Sequence, residues 1–143
     1  HKVAPQIQKA LHIPILHIAD ATADVLLARG IRKTALLGTK YTMTQDFYKN
    51  RLAARGLKIL VPDAGGIETV NSVIYDELCR GVISSVSRKA YVDIIRSLRS
   101  NGAKGVILGC MEIGLLIHPE DSPLPVFDAT AIHATRAALA ALC

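Results

Sequence analysis

The sequence predicts an α/β fold, with a parallel sheet of four to five strands flanked by helices. Three observations carry this expectation. Short runs rich in Val, Ile and Leu alternate with longer segments of helical period along the 143 residues, the pattern of repeated βα units. Each short run is continuously apolar instead of alternating, as strands covered on both faces must be. Four of the helical segments also stop in one style, on a glycine.

In chain order, a helical segment over Val3–Leu11 carries Val3, Ile7 and Leu11 at helical spacing. A strand is expected at Pro14–Ile18, with His17 as a satisfied core residue, and then a helix over Ala21–Arg29 with Asp20 as N-cap. A strand at Thr34–Gly38 leads to a helix over Thr44–Arg55, capped by Thr44. A strand at Leu57–Val61 precedes two helices, Ile67–Arg80 and Ser85–Ser100, the second capped by Ser84 or Ser85. The last strands are Lys104–Gly109 and Leu124–Phe127, followed by a helix over Asp128–Leu142 capped by Asp128. Arg29-Gly30, Arg55-Gly56, Arg80-Gly81 and Asn101-Gly102 place glycine where left-handed backbone closes a helix, and three of these pairs set an arginine against the negative end of the dipole. Helix ends therefore account for much of the net charge of +5. Pro119-Glu120-Asp121-Ser122-Pro123 is the densest turn cluster.

Composition excludes several function classes. At 50% hydrophobic and 20% charged residues the chain is globular and not disordered. No apolar stretch reaches the roughly 18 residues of a membrane span, so no membrane association is expected. The 17 Lys and Arg are scattered and aromatics are 4%, which gives neither the basic run nor the stacking platform of a nucleic-acid binder. Three cysteines, an odd count without a Cys-x-x-Cys pair, argue against a disulfide scaffold or zinc site and for reduced thiols in a cytoplasmic protein. No ligand cluster suggests a metal. The chain starts at His1 without a basic-then-apolar leader, so the true start is expected upstream.

In open α/β sheets ligands gather at the carboxyl ends of the strands. Two corners there carry polar chemistry. Gly38-Thr39-Lys40-Tyr41-Thr42-Met43-Thr44 offers hydroxyls and backbone amides that suit a carboxylate or phosphate, and it equally suits an ordinary turn capped by Thr44. In Gly109-Cys110-Met111-Glu112-Ile113-Gly114, Cys110 ends an apolar strand; helix-start amides would lower its pKa, making a base or nucleophile, although a buried cysteine also serves as a small hydrophobe. Cys79 and Cys143 read as structural. His133 either faces a cleft or packs. No Gly-x-Ser-x-Gly, Walker loop or Gly-x-Gly-x-x-Gly occurs.

At these corners the sequence becomes familiar. Leu36–Met43, Ile74–Leu78, Gly109–Leu116 and Pro125–His133 occur in the order in which the aspartate/glutamate racemases carry similar segments, and the chain resembles that family of cofactor-independent amino-acid racemases throughout its length. The resemblance implies one lobe of a two-lobe fold, with an active site between lobes and one catalytic cysteine from each. It assigns Cys110 as one acid/base, with Glu112 orienting substrate or thiol, Thr39 and Thr42 binding the substrate carboxylate, and Met111 and His133 at substrate-binding positions. The family's first cysteine lies in a Cys-Asn-Thr motif just before a segment similar to His1-Lys2-Val3-Ala4. Residues 1–12 are then a helix remnant of the first lobe, 13–119 the second α/β lobe carrying Cys110, and 124–143 a strand and helix expected to pack on the first lobe. Inverting an α-carbon needs a proton removed on one face and delivered on the other, so the chain alone is expected to be inactive. It departs from relatives in having Met111 where Thr is common, and Glu68, Thr69 and Val70 where some carry a basic residue for a side-chain carboxylate. The implied partner is a small amino-acid substrate, without cofactor, metal or nucleic acid, and the apolar faces Val3, Ile7, Leu11 and Ile132, Leu139, Leu142 suggest a homo-oligomer. The alternatives are a single-cysteine decarboxylase or isomerase of the same superfamily and a non-catalytic carboxylate-binding module.

Overall fold

Four parallel strands make one sheet in the computed structural model, which describes residues 1–142; Cys143 lies outside the described residues. In chain order the elements are α1 (Ala4–Lys9), α2 (Ile18–Ala28), β1 (Lys33–Leu37), α3 (Lys40–Thr44), α4 (Asp46–Ala54), β2 (Lys58–Leu60), α5 (Ala64–Ser72), α6 (Ser85–Ser100), β3 (Val106–Leu108), β4 (Val126–Asp128) and α7 (Ala129–Ala141). A π-turn over Val73–Glu77 and a 3-10 turn over Leu78–Arg80 follow α5, and a second 3-10 turn covers Met111–Leu115. The strand order is β2-β1-β3-β4. The fold class predicted from the sequence is thus the one observed.

The continuous apolar runs are explained by the two central strands. In β1 and β3, Ala35, Leu37, Val106 and Leu108 point to one face and Leu36 and Ile107 to the other, all at most 1% exposed. The first face is covered by α5, the π-turn and α6 through Val70, Ile74, Tyr91 and Ile95. The second is covered by α2 and α4 through Ala23, Leu26, Tyr48 and Leu52. The result is a three-layer α/β/α sandwich. Truncating Ile107 to alanine is expected to cost about 2–5 kcal/mol, read as a lower urea midpoint with an unchanged slope.

Gly30, Gly56, Gly81 and Gly102 all have left-handed backbone, with φ of 71, 85, 75 and 96°. Ser84 and Asp128 cap α6 and α7 through their side chains as expected. The strand expected at Pro14–Ile18 is not one. Backbone groups within it and just before it are taken by side chains: Gln8 Nε2 donates to the preceding Ile13 carbonyl at 3.0 Å, the Ile15 amide donates to Gln8 Oε1 at 2.7 Å, and His133 Nε2 meets the Leu16 carbonyl at 2.9 Å. Pro14 also lacks the amide that a ladder would need. His17 caps α2 in place of Asp20, whose carboxylate instead forms a bidentate pair with Arg51 on α4 at 3.0 and 2.7 Å.

His17 Nδ1 accepts the Ala19 amide at 3.1 Å, so the ring serves as a cap only while that nitrogen is free of a proton. Burial, and then the positive charge of Arg51, hold its pKa below the usual 6.5. As pH falls, the unfolded chain takes up this proton before the folded one, so stability is lost on descending through about pH 6.5 down to the folded pKa. Thermal unfolding between pH 7.5 and 5.5 should show that decline, and His17→Asn, which keeps a capping acceptor but does not titrate, should flatten it.

Among residues expected to form open apolar faces, Val3, Ile7, Leu11, Leu139 and Leu142 are exposed. Ile132 is not; it is half-buried against the core on the α2 side.

Candidate active site

β1 and β3 are neighbours in parallel register, Leu37 opposite Leu108. Continuing that register sets Gly38 beside Gly109 and Thr39 beside Cys110. The two corners read separately from the sequence therefore form one site. The approach is close: the Gly109 amide donates to the Leu37 carbonyl at 2.7 Å, and a Cβ on Gly109 would lie 3.1 Å from that oxygen, 3.0 Å from Leu36 Cδ1 and 3.6 Å from Thr42 Cγ2. A Cβ on Gly38 would lie 3.2 Å from the Thr42 side chain. Glycine at both positions lets Thr42 rest directly on the strand ends.

Thr39 caps α3, and its hydroxyl lies 3.1 Å from that of Thr42, so both half-buried hydroxyls face one spot. Thr44, expected as the cap, is instead the last residue of α3, where its hydroxyl donates back to the Lys40 carbonyl at 2.7 Å. The Lys40 amide is occupied by Asn71 Oδ1 at 2.8 Å, and the Thr42 amide is turned toward Thr39 Oγ1 at 3.4 Å. The run of free amides expected at this corner is thus partly taken, and the two hydroxyls stand beside it.

Cys110 is half-buried in extended backbone, and its thiol donates to Glu112 Oε2 at 2.8 Å. Its pKa is pushed up to about 12, first by burial and then by the hydrogen bond and negative charge of Glu112. This reverses the expected lowering by helix-start amides. The element that follows Cys110 is a 3-10 turn of 5 residues, too short for much macrodipole, so desolvation and the adjacent carboxylate prevail. Cys79, expected to be structural, is exposed on its own 3-10 turn.

Met111 is 65% exposed at the start of the turn. His133 is half-buried on α7, where its Nε2 meets the Leu16 carbonyl and braces the helix against the segment before α2. One residue read only as a helix cap joins the corner. Asp128 stands opposite Leu108 at the end of β4; Oδ1 accepts the Thr130 and Ala131 amides at 2.9 and 3.2 Å, while Oδ2 is 3.1 Å from where a Cβ on Gly114 would sit. Its place at the end of a third strand on the same sheet edge was the signal available.

Fold and corner define an α/β protein with a thiol–carboxylate pair and two hydroxyls at the carboxyl edge of a parallel sheet. The chain belongs to the Asp/Glu/hydantoin racemase family, whose model matches residues 1–137. It is similar to a candidate Asp/Glu racemase from Yersinia pestis, with 51% identity and a TM-score of 0.96 over 100% of this chain and 63% of that one. An aspartate racemase homologue from Pyrococcus horikoshii is 39% identical, with a TM-score of 0.87 over 94% of this chain and 59% of that one. The aspartate racemase of Picrophilus torridus, 24% identical over 83% of this chain and 49% of that one, shares the fold with a TM-score of 0.64. The chain therefore spans less than two thirds of the length of each.

Proposed function

We propose that the protein is a cofactor-independent amino-acid racemase in which Cys110 moves the Cα proton on one face of the substrate. The observation that carries this reading is the Cys110 thiol, hydrogen-bonded to Glu112 in register with the Thr39 and Thr42 hydroxyls. Those hydroxyls donate to the substrate α-carboxylate, which also gathers charge as the α-carbon becomes a carbanion. With a pKa near 12 the thiol is protonated at neutral pH, so it is poised as the acid that delivers a proton to the carbanion. For the opposite direction Glu112 takes the thiol proton, and the thiolate so formed removes the Cα proton. The other face of the substrate is served by a second cysteine outside residues 1–143. The free thiols at Cys79 and Cys110 are in the state that a reducing cytoplasm maintains.

The protonated thiol also favours a second reading, a decarboxylase or isomerase of the same superfamily in which one proton donor suffices. Chiral chromatography of a single enantiomer incubated with the full-length protein separates the two. Racemisation yields the mirror image without loss of carbon dioxide, whereas decarboxylation releases it. Residues 1–143 alone are expected to give no inversion; inversion by that chain, abolished by Cys110→Ser, would contradict the two-base scheme. The exposed faces of α1 and α7 are expected to drive self-association of the chain, and sedimentation as a clean monomer at high concentration would count against that.

A further inference from the structure

The short turn over Met111–Leu115 carries Glu112 and starts on Cys110, and among the described residues no side chain caps it there. Ile113 and Leu116 seat it in the core, but apolar burial is non-directional and does not by itself set how a turn is rotated. A directional contact comes from α6. Arg88 Nε donates to the Leu116 carbonyl at 2.9 Å, just past the end of the turn. The same nitrogen lies 3.8 Å from Asp121 Oδ2, which accepts the His118 amide at 3.0 Å. One guanidinium thus stands between the end of the turn and the segment that leads back to β4. We propose that Arg88 is a positioning residue for the Cys110–Glu112 pair, acting through its hydrogen bond to the Leu116 carbonyl. This inference rests on the racemase reading and adds a residue to that site.

Arg88 is presented from a fixed base. The Ser84 hydroxyl caps α6, Ser87 Oγ lies 2.8 and 2.6 Å from the two Glu77 carboxylate oxygens, and the buried Tyr91 hydroxyl donates to the Val70 carbonyl on α5 at 2.8 Å. A helix tied at three points therefore holds a turn of 5 residues by its far end. Cys110 and Glu112 sit together at the near end, joined by their own hydrogen bond. Losing the Arg88 contact shifts the pair as a unit against the Thr39 and Thr42 hydroxyls, so the thiol keeps its partner but not its aim. A misplacement of about 1 Å in such a constellation costs up to about 10²-fold in rate.

Two substitutions separate the bond from the charge. Arg88→Gln sets an amide nitrogen where Nε stood, keeping a donor without the charge, whereas Arg88→Met sets a methyl group there and removes both. In the full-length protein Arg88→Met is expected to lower kcat for inversion by about tenfold, with KM and the rate of Cys110 alkylation within about twofold of the unaltered values. Amide hydrogen exchange over residues 111–121 should be faster in the same variant. Arg88→Gln should hold kcat within about threefold and keep the exchange protection. Arg96→Met, at an exposed arginine paired with Asp93 on the same helix, should change neither. Equal losses in Arg88→Gln and Arg88→Met, or full kcat in Arg88→Met, overturn the inference. If Arg88→Met does not fold, Arg88→Lys replaces it, keeping the charge but placing a methylene where the donor stood; kcat below that of Arg88→Gln supports the inference and kcat above it overturns it. If the unaltered protein does not invert its substrate, the racemase reading falls, and hydrogen exchange still decides on Arg88: faster exchange in Arg88→Met than in Arg88→Gln retains it as the residue that holds the turn, and equal exchange removes it.

Discussion

Cys110→Ser should lower inversion by the full-length protein by about 10²–10⁴-fold, the range contributed by a positioned acid or base, with little change in stability. The substitution keeps a donor of similar size beside Glu112 but replaces a thiol by an alcohol whose proton is far harder to remove. Because Cys110 is half-buried at the rim of the core and not enclosed within it, the fold does not depend on sulfur there. Chiral chromatography for turnover and thermal denaturation for stability, run on the same samples, check both halves. Unchanged turnover would remove Cys110 from the mechanism.

Glu112→Gln should move two properties of Cys110 in opposite directions. Replacing the carboxylate by a neutral amide removes the charge and weakens the hydrogen bond that hold the thiol proton, leaving burial as the main upward push. The thiol pKa then falls, and alkylation of Cys110 by iodoacetamide at a fixed pH should accelerate, measured peptide by peptide so that exposed Cys79 is scored separately. Turnover should nevertheless drop by about 10²-fold, the lower end for loss of a proton acceptor. A residue that only braced the turn would not raise reactivity while lowering turnover. Slower alkylation, or full turnover, would exclude the role assigned to Glu112.

The central strands were legible from sequence because β1 and β3 are buried on both faces, and only a continuous apolar run satisfies that. The helix ends were legible because left-handed backbone selects glycine at Gly30, Gly56, Gly81 and Gly102. Pro14–Ile18 misled because an apolar run reports burial and not ladder pairing; only the side chains of Gln8, on the preceding helix, and His133, on the last one, show where its backbone groups go. The start of α3 at Lys40 was hidden by an unbroken Thr-rich stretch in which Thr39, Thr42 and Thr44 all qualify as caps. At the site, the spacing of Gly38-Thr39 and Gly109-Cys110 placed each group at a strand end, but their union needed the strand order. The direction of the Cys110 pKa shift needed more still: the length of the following turn and the reach of Glu112, neither of which periodicity encodes.

The most direct test of Cys110 as the base on one face is deuterium exchange at Cα, followed separately for each pure enantiomer with full-length protein carrying Cys110→Ala. One enantiomer should lose exchange, and the other should keep it without inverting, because its proton faces the remaining base. Equal exchange of both enantiomers, at the rate of the unaltered protein, would contradict the assignment.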